Sequence, residues 1–242
     1  MSASIDQGGD VPAGGKVVQF WHPAGAVFLA VSVGALAVGS LPESFLQPDF
    51  GGGFASPPAL RVLLAAQAGL LMLICPVVLG RRAAAAGRSA PSGEVALASI
   101  FPAAGEYVML LVASAPLYVV AAWLSDAAAG DVVRGLLYLT GVAMAAWGLS
   151  LWVRKGHAAT TTAAALAAAL IAVGMPLTYY VLTEMTGRGV PPEWLFSAGP
   201  ATCAYSVAAA RGASWHPAPI WAWALWPGVA AALAFARLLR PR

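Results

Sequence analysis

Charge is what this chain has least of. Only 10% of its 242 residues are charged and 60% are hydrophobic, whereas a soluble domain carries about 25% charged residues. Too few polar side chains exist to face water on every side. Six stretches hold no charged residue at all: 17–42, 62–80, 107–125, 135–153, 156–183 and 212–236. Each is long enough to supply the roughly 20 apolar residues a helix needs to cross a hydrocarbon core.

Other absences narrow the chemistry. No Asp, Glu, Lys, Arg or His lies in the middle of any uncharged run. Proton-coupled carriers and pumps retain such groups at membrane depth, so their lack argues against a proton antiporter or proton-conducting subunit. It also argues against an intramembrane hydrolase, which needs titratable groups within hydrogen-bond reach. Only three histidines occur, His22, His157 and His216, far apart along the chain, where a metal site needs several ligands converging. The two cysteines, Cys75 and Cys203, fall toward opposite sides of the expected membrane, too far apart for the Cα separation of about 7 Å that a disulfide allows. No G-x-x-x-x-G-K-[ST] motif is present, so this chain does not hold nucleotide phosphates through a P-loop. No basic face with interleaved aromatics points to nucleic acid. No cofactor is expected.

What is present is an all-α, polytopic membrane pattern. The expected spans are 25–41, 62–80, 107–124, 135–153, 160–182 and 220–236, forming one transmembrane domain over 1–242. Lys16, Arg81, Arg82, Arg88, Arg154, Lys155, Arg237, Arg240 and Arg242 would lie on one side, nine of the 13 basic residues. Arg61, Arg134, Arg188 and Arg211 share the other side with six of the ten acids. Basic residues concentrate in cytoplasmic loops. Both termini (1–23 and the C-terminal end) and the loop 81–106 are therefore expected in the cytoplasm. Residues 183–219 would then form an external loop. Within it, 194–210 is uncharged but broken by Gly199–Pro200, which suits a re-entrant segment better than a seventh crossing. The first span follows a long segment holding Asp6 and Asp10 and only Lys16, which suits a retained helix rather than a cleaved signal. A multi-pass protein of the cell membrane, of inner-membrane type and in contact with lipid, is the expectation.

Several residues mark where function could reside. Gln67, Ser114, Thr140, Thr178 and Tyr179 are polar groups inside the spans. They could line a passage or form interhelical hydrogen bonds. Pro76, Pro116, Pro176 and Pro227 lie in or at the end of spans and should bend or interrupt them. In the loop 81–106, the stretch from Ser92, Gly93 and Glu94 to Phe101 has a short amphipathic character. Leu97, Ile100 and Phe101, with Val95, form its candidate apolar stripe, and Pro102 ends it. It is either an interfacial helix or a docking element for a cytoplasmic partner.

From about Val62 onward the chain resembles the permease subunit of a type-2 ABC exporter. The resemblance is carried by Ser92–Gly93–Glu94 through Pro102–Ala103–Ala104–Gly105–Glu106 and by Ala115–Pro116–Leu117. It continues in the run Trp147 to Lys155, in Met175–Pro176–Leu177, in Phe196–Ser197–Ala198–Gly199–Pro200 and in Ala236–Arg237–Leu238–Leu239–Arg240. It departs from the family's common pattern at Arg81–Arg82, where an acidic residue is frequent, and at Gly105–Glu106, where Gly-Lys is frequent. The resemblance implies six spans with both ends inside, a separate cytoplasmic ABC ATPase, and a second permease copy or homologue. It also implies that Ser92, Gly93, Glu94, Leu97, Ile100, Phe101, Pro102, Gly105 and Glu106 form the ATPase-coupling loop, and that 193–211 caps the pathway outside. A non-transport scaffold subunit of a membrane complex is the alternative. A lipid-acting enzyme using Glu184, Glu193 and His216 is a third reading.

Overall fold

Uncharged runs rich in alanine and leucine have few ways to satisfy backbone groups away from water, and the α-helix is the simplest. Every regular element among the described residues is helical. The computed structural model describes residues 23–41, 58–86, 105–153, 158–174, 177–178, 181–182, 199–207 and 220–239. The expected coupling stretch 92–102, Tyr179, Glu184, Glu193 and His216 lie outside the described residues.

Helix α1 covers Pro23–Gly39, α2 covers Ala59–Leu73 and α3 covers Cys75–Ala86. Residues 105–113 form α4 and Ala115–Leu124 form α5, with Ser114 between them. Helix α6 is Ala129–Ser150, and α7 is Ala158–Ala169, continued by a π-helical turn at Leu170–Gly174. The short α8 is Pro200–Val207 and α9 is Ile220–Leu239. Three continuous stretches, Ala59–Val78, Gly105–Leu124 and Ala129–Ser150, are long and apolar enough to cross a membrane; Pro23–Gly39, Ala158–Gly174 and Ala224–Leu233 are shorter apolar helices.

Interruptions fall where proline removes a backbone donor. The α2–α3 break at Ile74 directly precedes Cys75–Pro76, and the α4–α5 break at Ser114 precedes Ala115–Pro116. The π turn ends just before Pro176, a common accommodation of a helix irregularity. Pro227 instead lies inside the continuous α9. Pro200 sits at the first position of α8, where its missing N–H costs nothing.

Specific contacts set the direction of each helix. Leu64 meets Gly135 while Gly80 meets Ser150 and Val153, so α2–α3 and α6 run parallel. Gly141 lies against Pro227 and Gly148 against Ala230, so α9 runs parallel to α6. Helix α1 runs against α2, pairing Gly39 with Ala59 and Ser32 with Gln67. Helix α5 also runs against α2, pairing Tyr118 with Gln67 and Ser125 with Leu60. Helix α7 packs on both α3 and α2, while the π turn that continues it packs on α2 and on the 200–207 helix, which makes it antiparallel as well. One end of the bundle therefore gathers the start of α1, the end of α3, the starts of α4 and α7, and the ends of α6 and α9.

Helix α2 is central, with Leu60, Leu63, Leu64, Leu71 and Met72 fully buried. Close approach is permitted by glycine. A Cβ on Gly80 would stand 2.8 Å from the Ser150 carbonyl oxygen and 2.7 Å from the Val153 Cβ. Helices α5 and α6 are joined by only 125–128, and Asp126 adopts φ 47° there, a left-handed conformation that Asp tolerates better than most residues. Asp131 accepts from the Ala128 N–H at 3.1 Å and pairs with Arg134, placing an acid at the positive end of α6. Around the outside, large apolar side chains face outward on α4–α5, α6, the π turn and α9, including Val119, Trp123, Leu137, Leu170 and Phe235. Apolar surface on this scale suits lipid and not water.

Candidate functional site

Buried polar groups meet at three places. The first lies midway along α2. Gln67 is wholly buried, and its Nε2 donates to Ser32 Oγ of α1 at 3.1 Å while its Oε1 accepts from Tyr118 OH of α5 at 2.5 Å. The Ser32 hydroxyl in turn donates to the Phe28 carbonyl at 2.8 Å. Ser114, also buried, donates to the Leu110 carbonyl at 2.9 Å and stands beside the Tyr118 hydroxyl. One amide thus ties two outer helices to the central one. Gln67 is eight residues into α2, about 12 Å along its axis, near the middle of the apolar stretch Ala59–Val78.

The second meeting point joins α6, α8 and α9. Trp226 Nε1 donates to Tyr138 OH at 2.8 Å, and the Tyr138 hydroxyl also touches the Cys203 thiol. All three side chains are buried. Helix α8 runs antiparallel to α2: Ala201 approaches Gly69, and Tyr205 lies beneath the Arg61 guanidinium, 5.8 Å from carbon to ring centroid. Its first residue therefore sits about 15 Å below the Ala59 end of α2, and its last near that end.

The third lies at the opposite end, where α4 begins. Tyr107 is buried next to Cys75 and Ser150. The Ser150 hydroxyl lies beside that of Tyr107 but is directed to the Trp147 carbonyl at 2.6 Å, and among the described residues no group meets the Tyr107 hydroxyl at hydrogen-bonding geometry. An unmade bond at a buried hydroxyl costs about 1–3 kcal/mol. Tyr107→Phe should accordingly leave thermal stability unchanged or raise it by about 1 kcal/mol. Tyr118→Phe, which deletes a bond that is made, should lower it by about 0.6–1.7 kcal/mol. Parallel melts of the two variants in one detergent test this; an equal loss in both would contradict the assignment.

Of the polar residues singled out in the sequence, the structure brings Gln67 and Ser114 into one cluster. Thr140 and Thr178 are exposed elsewhere and bond back to the carbonyls of Leu136 and Gly174. Gly105 and Glu106 open α4 at the end of the bundle that holds Tyr107. The sequence reading passes over Ser32, Tyr118 and Tyr138, and takes Trp226 only as a packing or lipid-facing residue. For Tyr118 a signal existed: Tyr107, Ser114 and Tyr118 are spaced seven and four apart, a single helical face.

Cys75 and Cys203 are free and buried. No group of three or more His, Cys, Asp or Glu that could hold a metal occurs among the described residues. Comparison with family models, with curated proteins and with solved structures finds no match to this chain.

Proposed function

We propose that this chain is the membrane-spanning permease subunit of an ATP-driven transporter, with six crossings, both termini in the cytoplasm and a separate ABC ATPase as its partner. One observation carries the reading: the grouping of helix ends. The start of α1, both flanks of the 87–104 connection, the end of α6, the start of α7 and the end of α9 gather at one end of the bundle. The sequences at that end carry most of the basic residues, which supports reading it as the cytoplasmic face. Supporting features are the proline-linked breaks in α2–α3 and α4–α5, and α8, which reaches only mid-depth. Broken and half-length helices recur where transporters build their pathways.

In this reading α8 is the outward-returning arm of a re-entrant segment. The 87–104 connection would seat on the ATPase, and a second copy or homologue would complete the pathway. Closure of the ATPases on nucleotide would push on that connection. The push reaches α6 through Gly80 and Tyr107, which both lie against its last turns. The test is isolation of the full chain from its native membrane in mild detergent. Co-purification of an ATPase, with ATP turnover that responds to the permease in reconstituted vesicles, is the expected result. Recovery with other membrane proteins but no ATPase would favour the scaffold reading instead.

A further inference from the structure

The 105–124 span is held unlike the other long helices. It buries only Tyr107, Ser114, Tyr118 and Ala121, and three of those four carry a hydroxyl. Leu110, Leu111, Leu117 and Leu124 pack half-buried against the core, but its hydrogen bonds to α2 are only two: Tyr118 to Gln67, and the Leu60 N–H to Oγ of Ser125, the residue that follows the span, at 2.9 Å. By contrast, α6 buries Leu139, Val142, Ala145, Ala146 and Leu149. Packed interfaces are bistable rather than continuously deformable, so the few hydrogen bonds on this one can be exchanged as a set. The span also has a break of its own at Ser114, one residue from Ala115–Pro116 and within a turn of Tyr118. Finally, the Tyr107 hydroxyl on its buried face has no hydrogen-bond partner among the described residues. The described position of α4 therefore leaves one bond of that face unmade.

We propose that the 105–124 span is the moving helix of this bundle, latched to α2 at Gln67. Release of the Tyr118–Gln67 bond lets the span turn about Ser114 into a second arrangement in which Tyr107 gains a hydrogen-bond partner. This deepens the transport reading, because the span is continuous with the connection on which an ATPase would push. The latch itself needs no ATPase, so the two ideas fail separately.

The experiment measures distances by electron paramagnetic resonance on the full chain in lipid nanodiscs, without partner or substrate. One spin-labelled pair, Val119→Cys with Leu137→Cys, spans α5 and α6. A reference pair, Leu137→Cys with Phe235→Cys, spans α6 and α9. All three positions are exposed, while the native cysteines are buried. The reference pair should give one narrow distribution and the α5–α6 pair two. Tyr118→Phe should raise the weight of the second population about threefold, the change expected for one interhelical hydrogen bond. Gln67→Leu should do the same, and Tyr107→Phe should lower that weight. A single narrow α5–α6 distribution in the wild type and in both latch variants would overturn the proposal. So would two populations whose weights ignore Tyr118. Absence of any ATPase partner would sink the transport reading and leave these distributions as they are.

Discussion

Gln67→Ala is expected to lower the stability of the folded bundle by about 3 kcal/mol. The residue is fully buried and bonds to α1 and α5 at once. Interhelical hydrogen bonds in membrane proteins average about 0.6 kcal/mol and reach about 1.7. Two such bonds account for the smaller part of the loss. The larger part is the cavity left when a large side chain is cut to alanine at a site that cannot collapse, typically about 2–5 kcal/mol in total. The neighbours Leu63, Leu64, Ala68 and Leu71 are themselves fully buried on the same helix, which restricts collapse. Gln67→Leu keeps most of the volume and should cost only about 1 kcal/mol. Equilibrium unfolding in mixed micelles, followed by far-ultraviolet circular dichroism, separates the two. A Gln67→Ala variant within about 0.5 kcal/mol of wild type would show that the amide is not a hub.

The second large effect concerns the connection between α3 and α4. Replacing Leu97, Ile100 and Phe101 together with Asp should abolish recovery of an ATPase with the protein while leaving the bundle folded. The three residues are the apolar stripe expected from the sequence at the cytoplasmic surface. An anchor of this kind depends on desolvated apolar contact, and single hot-spot truncations at interfaces cost about 2–4 kcal/mol or more. Three carboxylates in its place remove that contact and add buried charge. The expected result is a loss of association of at least about a hundredfold, read by quantitative co-purification. Unchanged recovery of the ATPase would remove this stretch from the coupling role.

Helix positions were largely legible from charge, because a membrane run tolerates so little of it. The errors share one physical cause. Counting from charge to charge starts the second span at 62, but the helix begins at Ala59, because Arg61 rests over the Tyr205 ring and its charge does not end the helix. The fourth span was expected from 135, yet α6 starts at Ala129. Asp131 and Arg134 pair with each other, and Asp131 also caps the first turn. The third begins at Gly105 rather than 107, with Glu106 in its first turn. Charges at helix ends cap and snorkel, so they mark the first turn and not its boundary.

Proline was a better guide than charge inside the spans, since each break at Pro76 and Pro116 follows from a missing donor within one strand of covalent chain. Partner choice was not legible. Gln67 lies 35 residues from Ser32 and 51 from Tyr118. No local pattern reports which of several small polar groups will meet across helices. The same holds for Tyr138, Cys203 and Trp226, where only the path of α8 through the bundle brings the three together.

The account stands or falls on which side of the membrane each helix end faces. Single cysteines at Arg240→Cys, Ser92→Cys and Arg211→Cys, treated on intact cells with a membrane-impermeant maleimide, measure this directly. Arg211→Cys should react at once, and Ser92→Cys and Arg240→Cys only after the cells are permeabilised. Labelling of Arg240→Cys from outside intact cells would contradict the account.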